Sequence, residues 1–337
     1  MKWIRRGAGL LGVLALAVFV AWKSGDAPPL DEVARAAERS GLALESRQLD
    51  VGEVELHVVL AGPQHGPPLV LLHGYPECWY SWHGALAPLV RAGFRVAVPD
   101  LRGYNRSGKP RGVDAYTDLH YERDVIGLLD ALGWQTAYLA GHDVGGGTAW
   151  RLVFSHPTRF RRAVVFNVGH PLAWAAARPQ DDPDAVSWWR AVFRWPFVPE
   201  LMSRAGDWWL ITYYLRGTSR AGTFDDAELA VYKGAWAREG ALTAMVNGFR
   251  APDAPVAGMT ADGRPPIPVR VVWGERDAFV PRKGATLTEA YLPPGEVRYW
   301  PDASHWLLVE EPERVAGEMI AFFGEGESRT EPEAAAP

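Results

Sequence analysis

Cysteine is nearly absent from this chain of 337 residues: Cys78 stands alone, which excludes an internal disulfide. Charge of one sign is lacking too, since 35 Lys and Arg face 40 Asp and Glu for a formal net charge of -5. That balance, with the signs interspersed, offers no basic face to a nucleic acid partner. There is no H-E-x-x-H, no pair of cysteines and no carboxylate–histidine cluster at ligand spacing, so no metal site is expected. G-x-G-x-x-G is missing as well, which removes the dinucleotide-binding loop, and no cofactor is expected. Internal repeats are lacking. So are long uncharged apolar runs, with one exception at the N-terminus.

That exception is residues 7–22, preceded by Lys2, Arg5 and Arg6 and followed by Lys23. As a helix it spans about 24 Å, a little short of the roughly 30 Å hydrocarbon core. Trp3 and Trp22 are placed to extend it at the two interfaces. The nearest small-x-small site, Gly25-Asp26-Ala27, is followed directly by Pro28, which disfavours cleavage. Residues 1–30 therefore read as a signal-anchor and linker. The basic flank puts the N-terminus in the cytoplasm and the folded domain on the other side of the membrane. Secretion after cleavage is the alternative, and a peripheral helix a third reading.

The rest of the chain, with 48% hydrophobic and 22% charged residues over the whole sequence, reads as globular. Its length suits a core of about 250 residues with a lid or small second domain. A helix is expected over residues 31–40. Short β-type runs follow at residues 44–49, 54–60, 69–72, 95–98, 137–140 and 163–167, each bounded by Gly, Pro or Asp. Helical patterns lie between them, notably at 80–90 and 117–132. This is βαβα ordering with short buried strands, hence a mostly parallel sheet covered on both faces: an α/β class, with residues 31–170 as its first part. From 171 to 264 the strand rhythm stops, and a helical stretch rich in Trp, Arg and Ala runs to the Pro265-Pro266 breaker. It reads as an inserted lid, and its aromatics either line an apolar pocket or simply pack. Strands return at 269–273 and 297–300, with a helix at 312–323, so residues 265–324 complete the core. The Glu-, Pro- and Ala-rich tail, 325–337, reads as disordered.

The strongest chemical signal is G-H-D-V-G-G at residues 141–146, between a strand and a helix. Glycines there permit the tight turn of a nucleophile elbow, which lifts one side chain above the sheet. Ser usually holds that place; here it is Asp143. The competing reading is a helix cap. A carboxylate suits displacement at an sp3 carbon, giving an alkyl ester on the protein that water must then cleave by attack on the carboxyl carbon. The resulting oxyanion forms on Asp143 itself, so an oxyanion hole serves the protein's own ester. A small apolar epoxide or alkyl halide fits that chemistry better than a carboxylic ester. H-G-Y-P-E at residues 73–77 follows the apolar run 69–72 and places the Tyr75 N–H beside that of Val144 as hole donors; a plain turn is the bland alternative. His73, Gly74, Pro76 and His142 read as supports of these turns. The base is expected downstream, at His305 in S-H-W, and the acid at Asp277 in G-E-R-D-A, with Glu275 and Asp253 as lesser candidates. Nucleophile, acid, base is the chain order of α/β-hydrolases.

With those motifs in place, the chain resembles the epoxide hydrolase branch of the α/β-hydrolases over residues 44–323. The resemblance rests on H-G-Y-P-E, D-L-R-G-Y at 100–104, G-H-D-V-G-G and the Asp277 and His305 segments. It implies Asp143 as nucleophile, His305 with Asp277 activating water, and Tyr75 and Val144 as oxyanion donors. Members of this branch usually set two lid tyrosines over the nucleophile. Trp189, in Ser187-Trp188-Trp189, and Phe249, in Asn247-Gly248-Phe249-Arg250, stand at the corresponding places. Tyr213 and Tyr214 are the expected substitutes, against a reading as ordinary packing. The missing phenols keep a dehalogenase alternative open, with the Trp189 N–H as halide donor. Against it, Val144 follows the nucleophile where haloalkane dehalogenases usually carry Trp. Val144 and Gly147 also replace the arginines that grip a haloacid. A non-catalytic ligand-binding relative is a further alternative, against which the complete triad argues, and esterase-like chemistry is another.

Overall fold

The computed structural model describes residues 31–177 and 188–325, without the side chains of residues 188–190. The apolar run 7–22, its linker, Ser187, the Trp189 side chain and the tail beyond 325 lie outside the described residues. Among those described, no helix is long and apolar enough to cross a membrane.

Eight strands form one sheet: β1 (Glu45–Asp50), β2 (Glu55–Ala61), β3 (Pro68–Leu72), β4 (Arg95–Pro99), β5 (Ala137–His142), β6 (Phe160–Phe166), β7 (Val269–Gly274) and β8 (Val297–Trp300). Their order is β1-β2-β4-β3-β5-β6-β7-β8. The first two pairings, β1 with β2 and β2 with β4, are antiparallel, and the remaining five are parallel. Composition explains the positions. β3 reads Pro-Leu-Val-Leu-Leu, with its four Leu and Val residues buried, as a central parallel strand covered on both faces requires. β1 reads Glu-Ser-Arg-Gln-Leu-Asp and is largely exposed, and such charged residues suit an edge.

The expected strands form within a residue or two of their anticipated ends, except that β6 starts earlier, at Phe160. The helix anticipated at 80–90 splits into a 3-10 turn, Trp79–Trp82, and α2 (His83–Arg91). Before it, α1 (Glu32–Ser40) is capped by Asp31, whose Oδ1 accepts from the Val33 and Ala34 N–H groups. α3 (Asp118–Ala131) and α4 (Asp143–Ser155) complete the first half.

Between β6 and β7 the described residues form α5 (Pro171–Ala177), α6 (Trp188–Phe193), α7 (Val198–Thr218), α8 (Asp226–Trp236) and α9 (Ala241–Arg250). α7 is broken at Ala205–Trp208, where Gly206, Asp207 and Trp208 have positive φ. Polar contacts tie this insert to the core, among them those at Pro76, Arg39 and Glu310. Trp236 Nε1 donates to the Pro76 carbonyl, Arg39 pairs with Glu228 at 3.0 Å, and the Arg220 N–H donates to Glu310 Oε1 at 2.7 Å. α10 (Arg282–Thr288) follows β7, and α11 (Leu307–Glu310) and α12 (Pro312–Gly324) follow β8.

Candidate active site

The elbow is built by close packing. Asp143 has φ 49°, a left-handed value costly for a non-glycine residue. It is permitted because its neighbours have no side chains to collide. A Cβ on Gly145 would lie 2.5 Å from the Leu72 carbonyl, and one on Gly74 would lie 2.6 Å from the Asp143 Cβ. The Gly145 N–H donates to the His73 carbonyl at 3.0 Å, locking α4 against the end of β3.

These constraints leave the Asp143 carboxylate partly open, with 26% of the side chain exposed. Oδ1 accepts from the Tyr75 N–H at 2.8 Å, while Oδ2 faces His305 Nε2 at 3.7 Å, beyond a direct hydrogen bond. Val144, second residue of α4, has one of the N–H groups that a helix start leaves without an intrahelical acceptor. On the far side of the ring, His305 Nδ1 meets Asp277 Oδ2 at 2.7 Å. Asp277 is held in turn by the N–H groups of Phe279 and Val280 on Oδ1, at 2.7 and 2.9 Å, and by Asn167 Nδ2 on Oδ2 at 2.5 Å. Burial pushes the Asp277 carboxyl up, but the charge and hydrogen bond of His305, with the two amides, outweigh it and hold the group below its ordinary value. Burial likewise works against charge on His305. Asp277, and then Asp143, overcome it and lift the imidazole to about 9. The three residues expected from the sequence are therefore adjacent. Of the lesser acids, Glu275 pairs with Arg282 at 3.0 Å and Asp253 is exposed.

The supporting residues sit where the turns need them. His73 Nδ1 meets the Gly74 carbonyl and its Nε2 accepts from the Leu101 N–H at 3.0 Å. His142 is fully buried, with Nδ1 on Glu77 Oε2 at 3.0 Å and Nε2 on the His305 carbonyl at 2.9 Å, so it ties the elbow to the loop carrying His305. In D-L-R-G-Y, Asp100 gathers His57, Trp79 and Asn105, and Arg102 pairs with both oxygens of Asp124; this motif is scaffold.

Above the carboxylate lies a cleft of about 700 Å³, part of it open to solvent. Phe193, Ile211, Tyr214, Phe249, Phe279 and Trp306 are among its walls, with Tyr75, Asp143 and His305 at the floor. The expectation for the insert's tyrosines is half corrected. Tyr214 lines the cleft, but Tyr213 is 58% exposed and stacks on Trp209 outside it. Adjacent residues on a helix point about 100° apart, and here Tyr214 turns inward while Tyr213 turns to solvent. Phe249 does line the cleft. In the Trp-rich stretch, Trp208 and Trp236 are buried and Trp195 and Trp209 are exposed; among the described residues the cleft's indole is Trp306.

Two groups escaped the sequence reading. Asn167, at the end of β6, holds Asp277 and accepts from the Gly274 N–H at 2.9 Å. Glu310 accepts from both the N–H and the hydroxyl of Ser304, the residue before His305. Nothing but a position at a strand end hinted at the first. No group of His, Cys, Asp and Glu suited to a metal occurs among the described residues.

A family model of the α/β hydrolase fold matches residues 67–312. The AB hydrolase superfamily protein YfhM of Bacillus subtilis (strain 168) is 38% identical over 262 residues, covering 77% of this chain and 91% of that protein. Epoxide hydrolase 4 of Mus musculus is 31% identical over 281 residues, covering 81% and 77%. A solved structure from work on epoxide hydrolases in metagenomes from hot environments has a TM-score of 0.71 at 29% identity, covering 84% of this chain and 99% of that one. The elbow, the strand order and these likenesses agree: this chain is a hydrolase that belongs to the α/β-hydrolase fold family, in its epoxide hydrolase branch.

Proposed function

We propose that this hydrolase opens epoxides to vicinal diols through a covalent alkyl ester on Asp143. The observation that carries the reading is a single carboxylate suspended between a backbone N–H and an imidazole. Oδ2 attacks a ring carbon, the carbon–oxygen bond breaks, and the leaving oxygen takes a proton from a hydroxyl of the cleft lining. Water, giving a proton to His305 Nε2, then adds to the Asp143 carboxyl carbon. Charge develops on Oδ1, where the Tyr75 N–H already sits and where the Val144 N–H is the second donor. His305 returns its proton to the departing alkoxide, and Asp277 keeps Nδ1–H turned away from the reaction. The insert serves as a lid whose apolar walls exclude bulk water and select a small apolar substrate.

Relatives bearing the name epoxide hydrolase support the substrate class. The cleft argues in the same direction. Trp306 spends its indole N–H on Thr218 Oγ1 at 2.9 Å and so offers nothing to a halide, and no Arg or Lys lines the described walls to grip a haloacid carboxylate. A panel of small epoxides and haloalkanes, assayed for diol and for free halide, tests the proposal. Diol from epoxides is expected; halide release with no diol would replace this reading by the dehalogenase one. For residues 1–30 we propose a signal-anchor that places the domain on the non-cytoplasmic side, on the strength of the apolar run and its basic flank.

A further inference from the structure

Ring opening needs an acid. An alkoxide is a poor leaving group, and Phe249 supplies no hydroxyl at a place where this branch usually carries one. Tyr75 has so far entered only through its backbone, yet its side chain also lines the cleft. The ring packs edge-on against Phe249, with centroids 5.0 Å apart, and against Phe193 at 5.5 Å. It therefore rises from the floor, beside Asp143, into the wall contributed by the insert. Its hydroxyl makes no hydrogen bond to any described residue, although nearly every other polar group around Asp143 is committed. Displacement runs in line, so the departing oxygen lies on the far side of the attacked carbon from Oδ2, toward that wall.

We propose that the Tyr75 hydroxyl is the acid that protonates the epoxide oxygen as Asp143 opens the ring. This rests on the epoxide reading above. One residue then serves both steps, its phenol in ester formation and its N–H in ester hydrolysis. The balance closes. The Asp143 Oδ2–carbon bond forms, the carbon–oxygen bond of the ring breaks, and the phenol proton moves to the freed oxygen, leaving a phenolate. Hydrolysis later regenerates Asp143 as a carboxylic acid, whose proton returns to the phenolate. Burial, reinforced by the charges of Glu200 and Asp143, holds the phenol above its ordinary value. It therefore keeps its proton at neutral pH until the developing alkoxide takes it.

The test uses the full chain carrying His305→Gln, so that ester formation is read alone, as the rate of mass gain on Asp143 from styrene oxide. Adding Tyr75→Phe should slow that rate by about 10²–10³. It should also abolish the solvent deuterium isotope effect on alkylation, which a merely structural role would leave in place. The loss should exceed that on Tyr214→Phe by about tenfold. Alkylation of the Tyr75→Phe protein within a few-fold of its parent would overturn the inference, as would a larger loss on Tyr214→Phe. If the wild-type chain gives no diol and the parent no adduct from any epoxide, the epoxide reading itself has failed and takes this inference with it.

Discussion

In the proposed mechanism His305 must tolerate a proton in one step and be free of it in the next. In the resting site Asp277 and Asp143 together raise the imidazole to about 9, so at neutral pH it carries charge beside a nucleophilic carboxylate. Alkylation would neutralise Asp143 and remove one of the causes of that rise, so the ring would give up its proton more readily when water has to be activated. The sign follows directly. Ester hydrolysis should speed up as pH rises and level off below about 9, while ester formation needs no neutral imidazole. Quenched samples taken across this range should show the alkylated fraction falling with pH, and His305→Gln should trap the adduct at every pH. A pH-independent adduct level would contradict this division of labour. Most of these residues were legible beforehand, because each of Asp143, Asp277 and His305 lies just past a strand in a short motif. Asn167 was not: a lone Asn after β6 acquires meaning only when Asp277, 110 residues on, is folded against it.

At the scale of elements, the His305 loop is pinned between core and insert. Glu310 closes α11 with its side chain fully buried and accepts from the Ser304 N–H, the Ser304 hydroxyl and the Arg220 N–H. Next to His305, the Trp306 indole reaches Thr218 at the end of α7. Glu310→Ala strands those donors, and a buried donor left unpaired costs roughly 1–3 kcal/mol. Denaturant unfolding should show a loss of that order, and turnover should fall further than Tm alone accounts for as the His305 loop loosens. A variant with unchanged stability and turnover would remove Glu310 from this role. Strand positions could be read from apolar runs because parallel strands are buried on both faces. α7 resisted the same treatment. Its break at Ala205–Trp208 resets the helical phase, so no single periodicity across Val198–Thr218 tells which of Tyr213 and Tyr214 faces the cleft.

At the scale of the whole molecule, the insert roofs an apolar cleft, and residues 1–30 are proposed to hold the domain at a membrane. Full-length protein should sediment with membranes, and a chain starting at Asp31 should be soluble and retain turnover, since Asp31 already caps the first core helix. Recovery of the intact chain in the soluble cytoplasmic fraction would contradict the anchor. The central claim, however, is the covalent ester, and one measurement reaches it directly. A single turnover of an epoxide in heavy-oxygen water, with excess protein, should place label in the Asp143 carboxylate and none in the diol, because water attacks the carboxyl carbon. Label in the diol, with Asp143 unlabelled, would mean that water attacks the substrate directly and would contradict the account.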